Sequence, residues 1–414
     1  MGGRESTIPK HSSYGITPAN AKNWKSLPTT NQNVTGELDK AAQNYQEEIE
    51  SYPGAPYLIN LGNVYAEQGQ YEKAAEMVRQ YMRLKPGAAS SYVNLAMLYL
   101  ALQHFDEARE IIREAQARGF TPALLHPALY ALAFLGADQA GMAEQERWFA
   151  SKPEYENFGL GLASDTEAYS GHLGKARELT KRAVDSAIRA DDKESAAIWQ
   201  AVAAQREAAY GNAPKARQLA GEALDFAPSS QSVQSEATLA FALAGDVARA
   251  ESSAQELERL FPLGTQMQSI WLASVRAQLA IDRENPSAAI DSLQSTPPID
   301  FGQIMFVMNT SCPYPTYVRG EAYLAAGQGG AAAAEFQTIL DHNGMVWNCW
   351  TGALARLGAA RANALESREL QGADADAARA RALVGYKDFL TLWKDADPEI
   401  PILKQAKTEY AKLR

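Results

Sequence analysis

The stretch YLINLGNVYAEQGQYEKAAEMVRQYMRLKPGAASSYVNLAMLYLALQHFDEAREII, residues 57–112, decides the fold because it repeats itself. Leu61, Tyr65 and Ala74 return 34 positions later as Leu95, Tyr99 and Ala108. A fixed period in this range marks stacked units, each made of two antiparallel helices that cannot bury their apolar face alone. Gly62 and Ala74 are small enough for the two helices of a unit to approach, and Leu61, Tyr65 and Tyr81 fill the space around that contact. Gly69 ends the first helix and Pro86 stops the second.

The same grammar continues outward in degraded form. GKARELTKRAV centres on Ala176, KARQLAGEALDFAP on Ala216 with Pro228, and VARAESSAQELERLFP on Ala250 with Pro262, the last two again 34 apart. PSAAIDSL centres on Ala289, and TYVRGEAYLAAGQGGAAAAEFQTIL restores a full unit with Gly320, Tyr323, Gly327, Ala332 and Phe336. A last unit opens at GALARLGAARANALE, carries an insertion around SRELQGADADA and closes with ALVGYKDFLTLW. Upstream, ELDKAAQNYQEEIESYP puts Leu38, Ala41, Ala42, Tyr45 and Ile49 on one helical face and stops at Pro53. Residues 1–36 are polar and aperiodic, which predicts a disordered leader or linker remnant. The unit resembles the tetratricopeptide repeat, with Leu61-Gly62, Tyr65, Gly69, Tyr71, Ala74, Tyr81 and Pro86 in that family's signature slots. The expectation is an all-α, right-handed solenoid of about nine helical pairs over residues 37–414, closed by a capping helix at 398–414.

Composition narrows the function. Thirty-nine Lys and Arg stand against 49 Asp and Glu, a net charge of −10, so the chain repels phosphate backbones and nucleic acid is not an expected ligand. No apolar run reaches the roughly 20 residues that span a bilayer, and MGGRESTIPKHSSYGITP has no apolar core of a signal peptide, which predicts a cytoplasmic chain without membrane insertion. Cys312 and Cys349 read either as two incidental thiols or as a pair that stacking of successive units brings together. The loops TPPIDFGQIMFVMNTSCPYP and DHNGMVWNCW, rich in Met, Phe, Trp and Asn, are expected to pack over adjacent helices or else to mark contacts.

No constellation for chemistry emerges. His11, His104, His126, His172 and His342 are dispersed and make no metal spacing. The glycines of GQGG, 327–330, lack the Lys-Ser/Thr of a phosphate loop, and the acids at Asp191-Asp192, Glu194 and Asp374 to Asp376 sit at helix boundaries, where they favour the macrodipole. The reading is of a non-enzyme with no cofactor, no metal and no small-molecule substrate. Sequons at Asn33 and Asn309 carry no weight without a secretion signal.

The segments EYENFGLGLASDTEAYSGHLGKARELTKRAVDSAIRADDKESAAIW, YPTYVRGEAYLAAGQGGAAAAEFQTILDH and YKDFLTLWKDADPEIPILKQAKTEYAKLR resemble the tetratricopeptide region that follows the kinase domain in certain bacterial serine/threonine protein kinases. The resemblance covers about residues 55–414. The chain has no GxGxxG loop with a VAIK-type lysine, no HRD and no DFG, so kinase activity is not carried over. The resemblance implies an interaction scaffold that binds a protein or peptide partner in a concave groove, as a docking or sensing part of a kinase system. Two alternatives are a piece of a kinase whose catalytic part is encoded upstream and would relocate it outside the inner membrane, and the regulatory module of a transcriptional regulator.

In the tetratricopeptide family the first helices of the pairs line the groove, and asparagines there bond to the backbone of an extended peptide. By that resemblance Asn63 and Asn94 take the asparagine slots of the carboxylate-clamp pattern, while its basic slots fall on Ile59, Leu124 and Ala128. Without cations a terminal carboxylate would go unpaired. The expected groove is therefore mixed: Asn60, Asn63, Asn94 and Met97, with Ile59 and Val93 as apolar contacts.

Overall fold

The computed structural model describes residues 32, 35–51, 55–120, 122–304 and 312–414. Among these, every long element is a helix. A leading helix α1 (Leu38–Ser51) buries Leu38, Ala41, Ala42 and Tyr45, the face expected of it. The pairs then follow: α2 (Ala55–Glu67) with α3 (Tyr71–Leu84), α4 (Ala89–Ala101) with α5 (Phe105–Ala117), α6 (Leu125–Leu135) with α7 (Gln139–Ala150), and α8 (Glu156–Tyr169) with α9 (Leu173–Arg189). They continue as α10 (Lys193–Ala209) with α11 (Ala213–Phe226), α12 (Gln231–Leu243) with α13 (Val247–Leu260), and α14 (Ala273–Asp282) with α15 (Pro286–Ser292). A wider π-type coil, Met267–Leu272, runs into α14. After α16 (Tyr314–Ala325) with α17 (Gly329–Asp341), one short turn α18 (Asn343–Val346) precedes the long pair α19 (Trp350–Glu369) and α20 (Gly372–Leu392). Nine pairs are thus present in the described residues, and the cap is α21 (Pro401–Leu413), starting three residues later than expected. The insertion around residues 367–377 is absorbed as extra length of α19 and α20.

Within a pair and between neighbouring pairs, small residues let helices approach closely. A Cβ on Gly62 would lie 3.3 Å from the Ala74 carbonyl, and Phe336 fits against two glycines at once, Gly320 and Gly358, where a Cβ would come within 2.7 and 2.6 Å of its ring. Asp138, Asp192 and Asp246 cap the helices that follow them, each accepting from the backbone N–H three residues on.

The solenoid winds tightly enough for its later part to rest on its earlier part. Bonds join residues 186 to 238 positions apart. Thr265 N donates to the Gly36 carbonyl at 2.8 Å, Gln303 N to Ala66 at 2.9 Å, and the Tyr71 hydroxyl to Phe301 at 2.5 Å. Farther along, Gln103 Nε2 reaches the Asp341 carbonyl at 2.8 Å, and Asn348 Nδ2 the Leu162 carbonyl at 3.0 Å. Trp393 Nε1 donates to Tyr169 at 2.9 Å and Asp397 N to Gly171 at 3.0 Å. Glycine is required where backbones meet: a Cβ on Gly302 would lie 2.3 Å from the Glu67 carbonyl, and one on Gly344 2.1 Å from that of Leu100.

The polar leader expected over residues 1–36 lies largely outside the described residues; Gln32, which bonds to Glu67, and Gly36 are held against the solenoid. The aromatic loops pack over their neighbours. In DHNGMVWNCW, Trp347, Cys349 and Trp350 are buried, whereas residues 305–311 of the first loop, with the Asn309 sequon, lie outside the described residues. Cys312 and Cys349 are joined, their Cα atoms 5.9 Å apart, so the reading as incidental thiols gives way to a bridge between the starts of α16 and α19.

Candidate functional site

The six expected groove residues lie on α2 and α4. Ile59 and Met97 are half-buried and pack on the main core, and Val93 is 7 % exposed, so it is packing more than contact surface. Asn60, Asn63 and Asn94 are half-exposed. The Tyr45 hydroxyl donates to Gln32 at 3.2 Å, and the side chains of Asn63 and Asn94 make no hydrogen bond among the described residues. Of the clamp's basic slots, Leu124 is exposed and Ala128 is fully buried.

Elsewhere the first helices are closed in. In α10 every residue from Ala196 to Ala208 except Val202 is buried, and in α12 every residue from Ser235 to Ala242. α16 is buried from Tyr314 to Gly320, and α19 likewise over most of its first four turns. An amphipathic helix needs one apolar face; these are covered on all sides because the next superhelical turn lies across their ends.

This burial strands polar groups that the repeat grammar does not announce. Glu236, on α12, is fully buried; Gln205 Nε2 donates to its carboxyl group, the Tyr314 hydroxyl lies at 3.4 Å, and one carboxyl oxygen has no partner. Trp350 Nε1 donates to Gln205 Oε1 at 3.4 Å. Burial pushes the Glu236 carboxyl up to about 8, so it is neutral at pH 7. Glu67, at the end of α2, is likewise pushed by burial to about 7, opposed by the hydrogen bond from Gln32. Arg206 is 3 % exposed and spends its Nη atoms on Asp165, Ser164 and Thr180, while its Nε has no partner. Arg319 ties Asp300, at 2.6 Å, and Glu335, at 2.7 Å, to α16. The only sequence signal for these groups is a polar residue set among alanines, as in AVAAQREAA.

The outer surface carries two clefts of one design, each between two successive second helices with a first helix as floor. One, of about 630 Å³, lies between α9 and α11 over α10, with Leu173, Val184, Ala203, Leu219 and Phe226 among its apolar lining. The other, of about 540 Å³, lies between α17 and α20 over α19. Among the described residues no group of three His, Cys, Asp or Glu is placed to hold a metal, and no helix is long and apolar enough to cross a membrane.

Residues 65–132 match the family model described as tetratricopeptide repeat. That stretch carries tetratricopeptide repeats. Solved structures similar to it include yeast Tom70, at 11 % identity and a TM-score of 0.40, covering 91 % of this chain and 92 % of that one. A tetratricopeptide repeat protein from Parabacteroides merdae is 14 % identical with a TM-score of 0.32, covering 77 % and 99 %. The tetratricopeptide domain of P58(IPK) is 12 % identical with a TM-score of 0.26, covering 91 % and 94 %. No curated protein sequence matches the chain. The tetratricopeptide architecture supports an interaction scaffold, and it is the repeat's first helices, here α2 and α4, that keep half-exposed asparagines.

Proposed function

We propose that this chain is a non-catalytic scaffold that takes an extended segment of a partner protein along α2 and α4, with Asn63 and Asn94 bonding to the segment's backbone, Ile59, Asn60 and Met97 flanking it, and Val93 packing beneath them in the core. The observation that supports this most is the pair of half-exposed asparagines, on adjacent repeats, whose amide groups make no bond within the described chain. A side-chain amide offers both a donor and an acceptor, which is what a peptide backbone demands. With no cation in the clamp's basic slots, the segment is an internal one and not a chain terminus.

The wording-level resemblance to the repeat region of bacterial serine/threonine kinases supports a docking or sensing role beside such a kinase, and a kinase motif set with an apolar 20-mer in the adjacent reading frame would establish it. The Cys312–Cys349 bridge favours the extracytoplasmic alternative over the cytoplasmic one, because disulfides persist in oxidising compartments. The test of the binding face is photo-crosslinking from position 63 or 94 in native lysate, paired with Asn63→Ala/Asn94→Ala. The expected result is a discrete adduct from either position and about tenfold weaker capture by the double variant at unchanged melting temperature. Equal capture by the double variant would sink the placement.

A further inference from the structure

The cleft between α9 and α11 lies on the outer surface, on a different face of the solenoid from Asn63 and Asn94, and nothing in the repeat pattern requires it. Its apolar lining is Leu173 and Val184 from α9, Ala203 from α10, and Leu219 and Phe226 from α11, while the polar floor residues Gln200, Arg206 and Glu207 of α10 are each bonded within the chain, to Glu222, Asp165 and Arg177. Leu173 to Val184 spans eleven residues of helix, about 16 Å at 1.5 Å per residue. Its two walls carry opposite charge along most of that length. On the α9 side stand Arg177 and Lys181; on the α11 side, past Lys215 at its start, stand Glu222 and Asp225. Arg177 is already spent on Glu207, with bonds of 2.6 and 2.7 Å, and Glu222 is bonded to Gln200 and Gln218. Lys181 and Asp225 are exposed and make no hydrogen bond or ion pair among the described residues.

Two physical constraints select the occupant. The walls and floor are helices whose backbone groups bond internally, and the lining Gln200 and Thr180 side chains are already bonded to Glu222 and Arg206, so unlike the face of Asn63 and Asn94 the cleft offers no unbonded side-chain amide to the N–H and C=O groups of an extended peptide. A helix satisfies those groups itself and presents only side chains. A simple acyl chain would cover the floor but leave Lys181 and Asp225 unanswered. We infer that this cleft docks an amphipathic helix of about three turns from a partner protein, its apolar stripe on Leu173, Val184, Ala203, Leu219 and Phe226, with acidic residues along the flank facing Lys181 and basic residues along the flank facing Asp225. This deepens the scaffold reading by naming a second partner-binding face that does not use α2 or α4.

The probe is a fluorescein-labelled 14-residue helical peptide with Leu at i, i+3, i+4, i+7 and i+11, Glu on one flank and Lys on the other, titrated by anisotropy against the full chain. Control peptides carry the same Leu stripe with Lys on both flanks or Glu on both. The mixed peptide is expected to bind at least tenfold tighter than either control. Lys181→Glu replaces the unpaired cation of the α9 wall by an acid across from Asp225, so it should lose the mixed peptide tenfold and gain the two-Lys peptide. Because Lys181 is exposed and unpaired, this substitution leaves the fold intact, which the far-UV spectrum and melting temperature check. Asn63→Ala/Asn94→Ala should bind the mixed peptide as the parent does. Loss in that variant would assign the peptide to the α2/α4 face and overturn the proposal, whereas unchanged affinity there says nothing against the scaffold reading. Peptide preference unaltered by Lys181→Glu, or displacement of the peptide by equimolar dodecanoate, would also overturn it.

Discussion

Glu236 and Glu67 show what the winding asks of single residues. Both carboxyl groups are raised by burial above the ordinary value of 4.5, to about 8 and about 7, so the folded chain binds protons that the unfolded chain has already released across that window. The sign follows: their contribution to stability is complete below about pH 4.5 and is lost as pH rises toward 8, at no more than roughly 1.4 kcal/mol per pH unit for each group. Denaturant midpoints measured from pH 5 to pH 8 should therefore fall, and Glu236→Gln, which keeps the shape and cannot ionise, should flatten that slope. A slope the same in Glu236→Gln as in the parent would mean that the carboxyl is not held neutral. At Gly344 the constraint is steric. A methyl group there would sit 2.1 Å from the Leu100 carbonyl, a backbone atom that cannot swing aside, so Gly344→Ala should cost at least the roughly 1–3 kcal/mol of an overpacked core.

At the scale of elements, the bridge between Cys312 and Cys349 ties the start of α16 to the start of α19, closing a loop of 37 residues. Chain-entropy reasoning gives such a loop about 3–4 kcal/mol. The oxidised chain should show no free thiol under denaturing conditions, and Cys312→Ser/Cys349→Ser should lower the unfolding free energy by about that amount; two free thiols in an oxidising buffer would rule the bridge out. The helices themselves were legible in sequence because pairing is local: Ala74 and Ala108 mark the crossing of neighbours, and Gly69 and Pro86 end helices by their own chemistry. Cap residues such as Asp192 were legible for the same reason. What could not be read were contacts between elements far apart in sequence. Val93 looks like a groove residue by its slot and is buried in fact, and nothing local to Gln205, Arg206 and Glu236 announces that their helices are covered all round. The outer clefts were equally silent, since they arise from how far successive second helices splay and no short motif encodes that angle.

On the scale of the molecule, the second superhelical turn lying on the first changes how the chain should respond to damage. In an open solenoid each repeat touches only its neighbours, and stability is close to a sum of repeat and nearest-neighbour terms. Here the turns between α8 and α9 and between α10 and α11 are roofed by residues 393–402. Trp393 donates to Tyr169, Asp397 Oδ2 accepts from Gly174 N at 2.6 Å, and Ile402 N donates to Tyr210 at 3.3 Å. Trp393 is also among the largest fully buried side chains and meets the Tyr210 ring with centroids 5.0 Å apart. Trp393→Ala should therefore speed amide hydrogen exchange not only in α20 and α21 but also at residues 170–174 and 210–213, at least 180 positions away in sequence. It should cost about 3–5 kcal/mol as a large-to-small core change. Exchange that quickens only around residue 393, with the distant turns as protected as before, would show the two superhelical turns to be energetically independent. Exchange that quickens in both places ties the early repeats, through the seam at residues 393–402, to the repeats that end the chain in one cooperative body.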